Sequence, residues 1–502
     1  MRWRHVSTGA VLSSVLAFGA SAAADSYRFV RIADTRTSDF SFDPNRQPAI
    51  NNLGSVLFYA NSPGFIAGYH HGSGLFTAPI ITTTHPALSG LTLQAPSYND
   101  SGQVAFYAER PTPDGFRVYR VDAGGTVTLI AQSGSGTFGG FRAHVSMNSS
   151  GRVAFTATGG SGLNGLYVGS GTSNLRLYGN PGDGVTSLSS GPSLNDDGTV
   201  SFAGNYLPVS GGAHLSGAGG PINVIGSTSA NGISLFGESV IDNSGRVLFG
   251  AFRFSAPTHG LFRGSGGSVL STVADTDGDY ASLPIVTGIG AGGFPSMNNS
   301  GSLAFAATLD SGGRGIFTGS NPATSAVIRD GSTLFGRTVD HFFGGLSREA
   351  INDSGEIAFQ ARLIDGAGFS NVVAKAVPVP DQRWSSTTGG LWSDGSNWLG
   401  PVPNALYHTA NFTDAITSDS TITVDGSFRV GTINFHNTHR YLLDGTGEIT
   451  LYDSFGGMIN VSAGSHHIKP PVSLQGTGTV NTAGGSSILL DKCLANRAFN
   501  AT

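Results

Sequence analysis

INDSGEIAFQA, at Ile351–Ala361, is the stretch that decides the fold. Asn352 heads a turn that ends at Gly355, and a strand follows in which apolar and small residues alternate. An Asn at the head of a tight turn can bond its own backbone, and a Gly supplies the left-handed position that closes a bulged hairpin. In the strand, Ile357 and Phe359 point one way and Ala358 the other. Six copies precede this one: INNLGSVLFYA (Ile50–Ala60), YNDSGQVAFYA (Tyr98–Ala108), MNSSGRVAFTA (Met147–Ala157), LNDDGTVSFAG (Leu194–Gly204), IDNSGRVLFGA (Ile241–Ala251) and MNNSGSLAFAA (Met297–Ala307). From Gly54 to Gly355 the repeat spacing is 48, 49, 47, 47, 56 and 54 residues. Strand chemistry at that period predicts propeller blades.

The two faces of the repeated strand sharpen this. One face carries Val/Phe pairs such as Val104/Phe106 and Val200/Phe202; the other carries Leu57, Ala105, Ala154, Ser201, Leu248, Ala304 and Ala358. Neither face is charged, so both are expected to be buried, as in a blade packed between two neighbours. Further strands follow each copy, for example GLYVG (Gly165–Gly169) and NLRLYG (Asn174–Gly179), and a Gly/Phe/Ser-rich stretch leads into the next copy. Only two clear strands follow the seventh motif. The third is expected from the N-terminus, where SYRFVRIADT (Ser26–Thr35) is similar to SVLSTVADTDG (Ser268–Gly278). Joining first and last segments in one sheet removes two free edges and closes a seven-blade ring over residues 25–378.

Composition narrows the function. Gly supplies 75 of 502 residues, charged residues are 12%, and the net charge is −5. The lysines are Lys375, Lys469 and Lys492, with no basic cluster, which argues against a nucleic-acid partner. Arg2 and Arg4 precede an apolar run from Val6 to Gly19 and the small residues Ala20–Ala24. That reads as a secretory signal over residues 1–24, and it predicts an exported chain with no transmembrane segment in the mature protein. The lone Cys493 cannot form an intramolecular disulfide.

After the stiff linker 379–383 the text changes. Trp384, Trp392 and Trp398 fall within fifteen residues, followed by Gly-punctuated Thr/Val/Ile strands such as STITVDG, VGTINF and YLLDGTGEITL. This predicts a short parallel β-helix or β-solenoid over 384–490, with the tryptophans as its cap. The last residues, 491–502, lose the period and are expected to be an irregular tail, as though the chain were a shortened form of a longer surface protein.

The pattern Trp392, Asn397–Trp398, Pro403, Ala410, Phe412, Val430, Ile433, Phe435, Tyr441, Leu443, Gly445 and Ile449–Leu451 resembles the β-helical segments of bacterial autotransporter passengers. The first 380 residues resemble the seven-repeat propellers of exported bacterial proteins. Those resemblances imply architecture and compartment, and no chemistry.

Candidate sites are weak. Asp275, Asp277 and Asp279 in DTDGD could offer oxygens to calcium, but the twelve-residue calcium loop is absent, so a polar turn is expected. His70–His71 and His466–His467 are adjacent pairs; neighbours on a strand diverge, and exposed loop histidines are expected. Asp196–Asp197 lies in a repeated turn, where Asp is structurally favoured. No Ser elbow or phosphate loop stands before a helix. The three tryptophans have carbohydrate stacking as a second reading. The sequence therefore assigns no catalytic, cofactor-binding or metal residue. It predicts an all-β, exported, surface-associated binding or display module, with a glycan or surface polymer as expected partner and the solenoid as a stalk. The alternative is a polysaccharide hydrolase or lyase with acids at the channel mouth.

Overall fold

The computed structural model describes residues 27–501 except for short stretches, among them 110–114, 284–292, 452–456 and 496–498. The expected signal segment lies outside the described residues. The chain divides into two compact units, one ending at Val377 and the other beginning at Pro378.

The first unit is a seven-bladed β-propeller. Six of its seven sheets are antiparallel sets of four strands, some with the inner strand broken in two, and the seventh adds a short fifth strand, Thr333–Leu334, beside Arg337–Phe342. The repeated motif forms the second strand of each blade: Val56–Ser62, Val104–Glu109, Val153–Gly159, Val200–Tyr206, Val247–Arg253, Leu303–Leu309 and Ile357–Asp365. The stretch before each motif is the innermost strand of the same blade, as Phe138–Met147 is beside Val153–Gly159. Both motif faces are buried. Val104 and Phe106 are fully covered on one side, and so is Ala105 on the other. The small second face lets one blade lie close against the large Val/Phe face of the next.

The seventh sheet closes the ring. Its outermost strand is Tyr27–Asp34, placed against Gly368–Pro378. Asp34 forms a buried ion pair with Arg337 of the same blade, and Thr35 N–H donates to Asn371 O at 3.0 Å.

The second unit is a parallel solenoid of three sheets. Thr409–Phe412, Thr432–His436, Gly457–Ala463 and Gly478–Thr482 stack in register. Asn411, Asn434, Asn460 and Asn481 form a ladder, each side-chain amide donating to the one before at 2.7–2.8 Å. Trp384 and Trp392 are fully buried and Trp398 nearly so, packed at 5.1–5.2 Å between ring centres. Trp392 Nε1–H donates to Pro403 O and Trp398 Nε1–H to Trp392 O. Their faces are covered by protein, so carbohydrate stacking on them is ruled out. The tail 491–502 is not wholly irregular: Cys493–Ala495 pairs with Val472–Leu474, and Phe499–Ala501 with Gly478–Thr482. Parallel stacking uses backbone groups, so these strands form although the side-chain period has faded.

Candidate functional site

The site is built from the turns that begin each motif. In all seven, the Gly has φ between +73° and +85°. Its N–H donates to the O of the motif Asn or Asp at 2.9–3.1 Å, and the side-chain Oδ1 of that residue accepts from the N–H four places on, as Asn51 does from Ser55. That leaves the Asn amide free to reach outwards. Asn51 Nδ2 donates to Asn99 O, Asn99 to Asn148 O, Asn148 to Asn195 O and Asn195 to Asp242 O. Asn298 donates to Asn352 O, and Asn352 back to Asn51 O. A ring of six amide stitches therefore joins the blades. The joint after Asp242 lacks one, because a carboxylate has no N–H. Asp242 instead holds Arg246 at 2.5 Å, and Arg246 Nη2 donates to Asn299 O.

The next motif position forms a second ring nearer the solvent: Asn52, Asp100, Ser149, Asp196, Asn243, Asn299 and Asp353. Asn52 donates backbone and side-chain N–H to Asp100, and its Nδ2 also reaches Asp353. Asn299 donates twice to Asp353, and Asn243 Nδ2 to Asp196. Burial pushes the Asp196 carboxyl up, but hydrogen bonds from Ser149 and Asn243 outweigh this and hold it below the usual range.

Below the motif Asn, serines two places earlier make a third tier. Ser97, Ser146 and Ser193 each accept the N–H of the next blade's inner strand, from Met147, Leu194 and Ile241. The first blade has Ala49 there and cannot do so. Glu349 of the seventh blade fills the gap: its carboxylate accepts Tyr98 N–H at 2.6 Å and the Ser97 hydroxyl. Burial pushes the Glu349 carboxyl up to about 7, against the hydrogen bonds from Ser97 and Tyr98 and the nearby Arg348 charge.

The tier four places before the motif Asn or Asp holds His144, Gly191, Glu238, Phe294 and Arg348. Glu238 accepts from His144 Nδ1 at 3.2 Å, from Gly191 N–H at 3.0 Å and from Arg348 Nη2 at 3.1 Å. Arg348 Nη1 reaches Pro192 O, and its guanidinium lies 5.4 Å from the Phe294 ring centre. Burial pushes the Glu238 carboxyl up, yet His144, Arg348 and the Gly191 N–H pull it below its ordinary value. These groups come from the third to the seventh blades. Several join non-neighbouring blades, so the network crosses the channel and forms a floor. A Cβ at Gly191 would stand 2.7 Å from His144 Cβ, which is why the floor needs Gly there. Above the floor is a polar cavity of about 150 Å³, lined by the motif turns together with Arg348 and Glu349.

The residues singled out by sequence are placed as follows. Asp196 lies on the mouth ring; the recurrent Asn positions, expected to be turn and core, also line the cavity. Asp275 sits 3.9 Å from Arg253, and Asp277 N–H caps Asp275 Oδ1. Among the described residues, no group of three or more His, Cys, Asp or Glu is arranged to hold a metal. The histidine pairs are not exposed loop residues. His70 and His71 lie in strand Ile66–Gly72, and His466 and His467 in Ser465–Ile468. His70 is buried against Phe40 and Phe58 and its imidazole is driven down to about 4 by that burial. His466 is buried against Phe435. The strand period sends each partner to the opposite face, so one of each pair goes inwards. Cys493 is exposed, outside the propeller. The floor residues His144, Glu238 and Arg348, which share one offset from the motif, were missed, and so was Glu349, which has no counterpart in the other copies.

Fold and cavity define a class: a propeller with a stitched, polar channel, followed in the chain by a solenoid unit. The chain belongs to a family of unknown function, DUF7453, whose model matches residues 147–420. None of the curated proteins matches. Among solved structures, a puromycin-hydrolyzing peptidase of Mycobacterium tuberculosis is 10% identical with a TM-score of 0.40, covering 65% of this chain and 50% of that one. A puromycin hydrolase is 13% identical with a TM-score of 0.41, covering 63% and 50%. A triple arginine-to-alanine variant of AofleA from Arthrobotrys oligospora is 12% identical with a TM-score of 0.31, covering 60% and 89%. The chain thus spans half the length of the two hydrolases it resembles.

Proposed function

We propose that the protein is an exported, surface-associated binding or display module whose propeller channel receives the ligand, a glycan or surface polymer. The observation that carries the reading is the cavity wall. Its amides and carboxylates are joined in inter-blade rings, so they form a rigid polar surface rather than a set of loose reacting groups. Rigid prearranged donors and acceptors suit recognition, because little ordering entropy is lost on binding. The signal-like N-terminus supports export, and no helix among the described residues is long and apolar enough to cross a membrane.

One observation favours the hydrolase alternative. Glu349 lines the same cavity, and burial pushes its carboxyl up to about 7, the range a general acid needs. Incubating the full chain with a panel of soluble polysaccharides decides between them. Retention without cleavage supports the binding module. Released oligosaccharides, abolished by Glu349→Gln, overturn it in favour of the hydrolase.

A further inference from the structure

We propose that the channel cavity takes the neutral, hydroxyl-bearing end of a glycan or other polyol, held between Arg348 and Glu349 below and the mouth carboxylates above. The inference rests on the binding reading and names the ligand class. Arg348 is only 9% exposed and lines the cavity, and its buried Nε–H has no hydrogen-bond partner. A buried guanidinium N–H left unpaired costs free energy that an incoming acceptor recovers. Glu349 stands next to it in the chain. Each of its oxygens has one protein donor, which leaves lone pairs for a ligand donor. Hydroxyls both accept and donate, so a polyol can serve Arg348 with one hydroxyl and Glu349 with another.

The mouth adds selection. Asp100, Asp196 and Asp353 put three carboxylates around the opening. Their protein donors are amides, hydroxyls and backbone N–H groups, while the nearby cations Arg120, Arg246, Arg263 and Lys375 bond backbone carbonyls of the turns. The carboxylate field repels carboxylated or sulfated polymers. A cationic ligand would meet Arg348 at the floor. The cavity volume of about 150 Å³ equals that of about five waters, the bulk of a single small ring.

The test uses the full chain and three immobilised sets of oligosaccharides: neutral, uronate-containing and amino-bearing. Wild type is expected to bind the neutral set and to ignore the uronates. Ser149→Trp places an indole at the exposed mouth without touching the floor, and should weaken binding by about tenfold or more. Glu349→Gln keeps the shape and should weaken it several-fold. Thermal midpoints confirm that both variants fold; should Ser149→Trp fail to fold, Glu349→Gln alone decides. Preference for uronates or amino sugars, or variants that bind as wild type does, would overturn the inference and leave a binding function elsewhere on the chain. Binding to none of the three sets overturns both.

Discussion

Glu349 has a chemistry that its sequence context does not announce. Folding raises its carboxyl from the ordinary carboxylate range to about 7. The folded state therefore favours the protonated form. That stability is fully present below the unfolded value and is lost as pH rises towards 7, beyond which the penalty is constant. Glu349→Gln removes the titration. It should match wild type near about pH 4 and exceed it at about pH 8 by on the order of 2 kcal/mol, after discounting for partial exposure. Urea melts at the two pH values read this directly, and a gain of equal size at both would refute the assignment. Gly245 tests the turn. Its φ is +77° and a Cβ there would meet open space. Gly245→Ala should cost about 1–2 kcal/mol from backbone strain alone. The turn Gly and Asn could be read in the sequence because their roles are local. Glu349 could not, because what raises it is burial, against the hydrogen bonds of Ser97 and Tyr98, and the chain that surrounds it lies about 250 residues away in the sequence.

At the scale of the element, the motif hairpin does two jobs with one side chain. The Asn oxygen closes its own turn and the Asn amide stitches the next blade. Asn195→Asp keeps the acceptor and removes the donor, so it isolates the stitch. It should destabilise by about 1–3 kcal/mol, since Asp242 O is left facing a carboxylate. An unchanged denaturation midpoint would show that the stitch contributes nothing. The hairpins and the two buried faces were legible because period-two alternation is a property of the strand itself. The floor was only latent. His144, Glu238 and Arg348 share one offset from the motif, but sequence spacing does not say that this tier faces across a channel. The histidine pairs failed for a related reason: local polarity suggested a loop, while blade packing drew His70 and its aromatic partners into the core.

At the scale of the whole propeller, closure depends on Tyr27–Asp34 returning to the seventh sheet. The likeness of SYRFVRIADT to an internal third strand was enough to place it. Asp34 is 1% exposed and Arg337 7%, so each needs the other. Asp34→Asn leaves Arg337 buried and unpaired, at a cost of about 3–5 kcal/mol. The stitched ring and its floor make the channel the place where recognition is expected. A crystal structure of the full chain grown with the neutral oligosaccharide retained best tests this most directly. Sugar hydroxyls are expected within hydrogen-bond distance of Arg348 Nε and of Glu349. A sugar seated between blades or on the solenoid, with the channel filled only by solvent, would contradict it.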